Sequence, residues 1–63
     1  MIYRNVKLIA DKKGISICEI EKKAGIANGT IGGWKKSSPN IKSLAAVAKA
    51  LEVSINDLLN GII

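Results

Sequence analysis

Sixty-three residues hold one domain and one small core, and 48% hydrophobic content is too apolar for a disordered tail. A single cysteine and no histidine exclude an internal disulfide framework, a Cys-based metal cluster and the usual neutral-pH base, so no catalytic set, metal or cofactor is expected. The net charge of +5 points to a polyanionic partner, nucleic acid or an anionic membrane, unless it is only a solvated lysine surface.

The elements follow in chain order, with helical periodicity and no strand-like alternation. Ile2, Val6, Ile9 and Ala10 predict a first helix over residues 2–13, stopped before Gly14. Ser16 with Glu19 three residues on forms a capping box, and Ile15 with Ile20 a hydrophobic staple. The second helix then runs to Gly25, a left-handed stop by type. Only Gly25-Ile26-Ala27 separates it from a third helical pattern, Asn28 to about Lys36. Ser37-Ser38-Pro39-Asn40 is a loop, with Asn40 placed to cap a fourth helix. That helix has the apolar stripe Ile41, Leu44, Val47, Ala48 and Leu51. Ser54 as cap, Asp57 at N3 and the staple Val53–Leu58 start a fifth, which ends near Asn60-Gly61. No apolar run approaches the ~20 residues of a membrane span, and Met1-Ile2-Tyr3-Arg4 does not open a signal peptide, so the chain reads as cytoplasmic.

Residues 16–36 carry the most information: a capped helix, a three-residue turn containing glycine, and a second helix. A turn this tight crosses the helices steeply, so that the second can enter a major groove while the first lies across the backbone. Ile20, Ala24, Ile26, Ile31 and Trp34 would hold the pair together. The fold expected is all-α, a single five-helix domain over residues 1–63.

From Val6 to Leu59 the chain resembles the Cro and phage-repressor (Xre-like) family of helix-turn-helix domains, which share the lambda-repressor-like fold. The likeness is carried by Gly14-Ile15-Ser16, Ala24-Gly25-Ile26, and Thr30-Ile31 with Trp34. Pro39, Leu44, Ala48-Lys49-Ala50-Leu51, Val53-Ser54 and Asp57-Leu58-Leu59 complete it. The resemblance implies a bacterial or phage repressor that uses two copies across a pseudo-palindromic operator. Three residues depart from the family pattern. Ile17 stands where the family places a phosphate-gripping Gln, so that contact is lost. Glu21 replaces a small Ala, which implies looser helix packing or an outward-turned carboxylate. Ala27 replaces a capping Ser or Thr, leaving Asn28 to cap the third helix.

With Ile31 and Trp34 on the inner side, Gly29, Gly32, Gly33 and Lys36 collect on the opposite face, and Asn28 leads into the groove. Asn28 either reads adenine through its amide or merely caps the helix. Together with Gly29, Gly32 and Gly33 it makes up the expected base-reading set. Ser16, Thr30, Lys35, Lys36, Ser38, Asn40 and Lys42 are the expected phosphate contacts, Lys35 with plain solvated surface as its alternative. Lys12, Lys13, Lys22 and Lys23 read as surface, Cys18 as a helix residue without redox function, and Tyr3 as uninformative. Leu58, Leu59, Ile62 and Ile63 form an apolar end that is a dimer interface, or closes the core, or once led into a longer chain. The reading is therefore a sequence-selective duplex-DNA binder that regulates transcription. An antitoxin-like protein-interaction module is its rival, and a membrane-surface peptide a weaker one, because such peptides need no punctuated helices.

Overall fold

A computed structural model describes residues 2–60. Its helices are α1 (Ile2–Lys13), α2 (Ile17–Ala24), α3 (Thr30–Gly33), α4 (Ile41–Leu51) and α5 (Ile55–Asn60), and no strand occurs among the described residues. Each long helix buries the stripe its period sets. Val6, Ile9 and Ala10 of α1 meet Ile20 of α2, Leu44, Val47, Ala48 and Leu51 of α4, and Leu58 of α5 in one apolar cluster. The most extensive helix pairing is α2 on α4, followed by α1 on α5.

Three helices stop in the same way. At the end of α2 the Gly25 N–H donates to the Lys22 carbonyl at 3.2 Å and the Ile26 N–H to the Glu21 carbonyl at 3.1 Å. These paired bonds satisfy carbonyls the helix leaves open, and they require the left-handed conformation that Gly25 takes at φ 73°. Gly14 and Ile15 repeat the pattern after α1, and Glu52 and Val53 after α4. Ile15, Ile26 and Val53, the residues just past each stop, all pack against the core. Glu52 does without glycine, holding φ 60° on a side chain that favours other conformations.

The starts of α2, α4 and α5 also follow their sequence signals. In α2 the Glu19 N–H donates to Ser16 Oγ at 3.1 Å, and the Ser16 N–H donates to Glu19 Oε1 at 3.3 Å. Ser54 and Asp57 make the same reciprocal pair, at 3.1 and 3.2 Å. Asn40 Oδ1 accepts from the Ser43 N–H at 2.7 Å.

Two expectations are corrected. The nine-residue third helix shrinks to four α-helical residues, Thr30–Gly33, and the chain continues in tighter turns. The N–H groups of Trp34, Lys35 and Lys36 bond three residues back, to Ile31, Gly32 and Gly33. Gly32 and Gly33 explain the brevity, since each disfavours a helix interior by about 0.5–1 kcal/mol relative to Ala. Ile41, expected in the buried stripe of α4, is 70% exposed. As the first residue after the Asn40 cap, it precedes the turn of α4 that closes on the core.

Candidate nucleic-acid interface

The two helices of the helix-turn-helix unit meet through Ile20, Ile31 and Trp34, all buried in the common core. Around Ile31 and Trp34 the exposed residues are Ala27, Asn28, Gly29, Gly32, Gly33, Lys35 and Lys36. One side of this segment is thus core and the other is solvent, the division its period implies. A Cβ built on Gly32 or Gly33 meets no atom within 4 Å, so nothing inside the domain demands glycine at either position. Gly29 is different. It stands outside the helix as the N-cap, at φ 93°, a conformation that an L side chain rarely adopts.

The start of α3 is held from a distance. Gly29 has no side chain to cap with, and the bonds come from Glu21 on α2. The Gly29 N–H lies 3.1 Å from both carboxylate oxygens, and the Ile31 N–H donates to Oε2 at 3.0 Å. The carboxylate therefore turns inward, at 3% exposure, which overturns the outward turn that was one of the two expectations for it. Asn28 is likewise relieved of the capping role, because the cap position is Gly29 and Glu21 supplies its acceptor. A pattern in α2 could have shown this: Ile17, Ile20, Glu21 and Ala24 fall at i, i+3, i+4 and i+7, one inward stripe with a carboxylate in it. Opposite that stripe lies a helix start whose N-cap, Gly29, has no side chain to cap with.

The expected phosphate contacts divide by how they are engaged. Lys36 and Lys42 are exposed and carry no ion pair among the described residues, where Lys7–Asp11 at 3.0 Å is the pair that forms. Lys35 is placed by α1, with Nζ 4.9 Å from the centroid of the Tyr3 ring, a cation–π contact that gives Tyr3 a part in this surface. Ile2, Trp34, Ser37, Ser38 and Pro39 line the same shallow hollow with Lys35 and Lys36. Thr30 donates its hydroxyl to the Ala27 carbonyl at 2.7 Å. Ser16 Oγ accepts from the Glu19 N–H and donates to Glu19 Oε1 at 3.2 Å, so Ser16 reaches a phosphate only by exchanging a bond. Asn40 spends Oδ1 on its cap and keeps its amide donors. Exposed Ile41 lies between Asn40 and Lys42, an apolar side chain on the surface where the sequence had placed a buried one.

At the far end, Leu58 is fully buried and closes the core, with the Asn5 amide donating to its carbonyl at 2.6 Å. Leu59 is 49% exposed, and Ile62 and Ile63 lie outside the described residues. No helix among the described residues is long and apolar enough to cross a membrane.

Known proteins place this geometry. The fold is similar to the N-terminal DNA-binding domain of SinR from Bacillus subtilis, with a TM-score of 0.85 and 32% identity over 95% of this chain and 91% of that one. In sequence the chain is 33% identical to the HTH-type transcriptional regulator SinR of Bacillus licheniformis and 32% identical to that of Bacillus subtilis strain 168. Each match covers 95% of this chain and 57% of the relative, so the chain spans a little over half the length of these regulators. The family model for the Cro/C1-type HTH DNA-binding domain matches residues 5–62, and the chain belongs to that family.

Proposed function

We propose that this chain binds double-stranded DNA sequence-selectively in the cytoplasm and regulates transcription as a repressor, with two copies on a pseudo-palindromic operator. The observation that carries the reading is one exposed face, Asn28, Gly29, Gly32, Gly33 and Lys36, backed by buried Ile31 and Trp34 in a domain of this family. Asn28, relieved of capping, is the base reader, its amide suited to adenine. Gly32 and Gly33 let the backbone approach the groove closely, so selectivity also draws on bridging water and DNA shape. Lys36, Lys42, Asn40 and Ser38 hold phosphates, Asn40 and Lys42 at the N-terminus of eleven-residue α4, where the helix dipole favours an anion. Lys35 and Thr30 sit beside them, and Ser16 joins only by leaving its capping box. A second copy meets Leu59 together with Ile62 and Ile63.

Selection of bound sites from a random duplex pool tests the reading. It should return an enriched sequence, with affinity falling steeply as salt rises. Lys36→Ala and Lys42→Ala should each weaken binding on all sequences and lower the log–log salt slope by about 1. A slope near zero, or a partner protein bound more tightly than any duplex, contradicts it. Replacing Ile62 and Ile63 with Asp should abolish cooperative occupancy of paired half-sites and leave single half-sites unaffected.

A further inference from the structure

We propose that Glu21 is a positioning residue for base discrimination, its buried carboxylate fixing where α3 stands on α2 and hence where Asn28 and the glycine face meet the groove. The proposal rests on the DNA-binding reading above. Glu21 is the one charged side chain buried among the described residues. No lysine or arginine pairs with it there; every partner seen is a backbone N–H at the start of α3, from Gly29 and Ile31. A carboxylate withdrawn from water needs such charge-assisted bonds to offset its lost hydration. Any shift of α3 by about an ångström stretches them and strands a buried anion, so the placement is held stiffly.

The rest of α3 supplies little rigidity. It has four helical residues, two of them glycine, and a cap residue without a side chain. Ile31 and Trp34 anchor its inner side, but apolar packing tolerates small slides that hydrogen bonds do not. Discrimination between bases depends on such small distances, whereas flexible lysines follow a phosphate through them.

Glu21→Gln keeps the shape and one acceptor, and Glu21→Ala removes both. Two measurements are made well below each variant's melting temperature. The first is amide hydrogen exchange at Gly29 and Ile31 against Val47 and Leu51 in α4. The second is the affinity for the duplex recovered by random-pool selection, relative to a scrambled duplex. The expected result is faster exchange at Gly29 and Ile31 alone, with the affinity ratio falling about tenfold, the scale of one lost base contact. The salt slope should be unchanged, because the lysines still meet their phosphates. A purely structural Glu21 would speed exchange throughout the core and leave the ratio as it was. A discriminating parent whose two folded variants keep its ratio within twofold overturns this proposal alone. A parent with no preference among duplexes overturns the reading beneath it.

Discussion

The two helices of the helix-turn-helix unit are built on opposite principles. α2 supplies both its own ends: Ser16 and Glu19 close its start, and the Gly25–Ile26 bonds close its finish. α3 supplies neither, for its start is capped by Glu21 from α2 and its finish loosens into successive three-residue turns. A scaffold helix can be optimised for its own stability. In α3 two exposed positions are glycine, and the start of the helix is held from behind by Glu21.

That contrast can be broken first at the inner anchors. Trp34→Ala should cost about 3–5 kcal/mol, since it empties a buried aromatic site shared by α3 and the core. Urea denaturation should show it, with circular dichroism reporting loss of the whole fold; a loss confined to α3 would mean that Trp34 is not shared core. Ser16→Ala should cost about 1 kcal/mol, the usual value of an N-cap. Its damage should stay local to the first turn of α2, read as faster exchange of the Glu19 amide, because Glu21 sits beyond that turn. Glu52→Asn should stabilise slightly, by about 0.5–1 kcal/mol, because a left-handed stop at φ 60° suits Asn better than Glu. A lower melting temperature there would show that the Glu52 side chain makes a contact that matters.

The sequence was readable where structure is local. α1 was expected over residues 2–13 and runs Ile2–Lys13; the starts of α2, α4 and α5 stand on caps within three residues of the groups they satisfy. α3 was overextended because apolar spacing marks a buried face without saying whether the backbone between the anchors is α-helical, and two glycines decided otherwise. Its cap was missed because donor and acceptor lie eight and ten residues apart across the turn. Family habit at that position, a small Ala, implies looser helix packing or a carboxylate turned out; the amides of Gly29 and Ile31 give it a reason to turn in. Ile41 was misplaced because a stripe drawn along α4 ignores that its first residue precedes the turn that meets the core. Leu58 was offered both as staple and as interface, and full burial leaves it to the core. The face opposite Ile31 and Trp34 followed from angular spacing alone, and its residues are exposed.

The glycine face offers the most direct test of the account. A Cβ on Gly32 or Gly33 meets no protein atom within 4 Å, so Ala at either position should stabilise the free domain by about 0.5–1 kcal/mol. For a domain of this size that raises the melting temperature by several degrees, on the order of 4–8 °C per kcal/mol. If the backbone approaches DNA closely there, at least one of Gly32→Ala and Gly33→Ala should bind the selected duplex more weakly while melting higher. Two variants that both gain stability and bind as tightly as the parent would contradict the account.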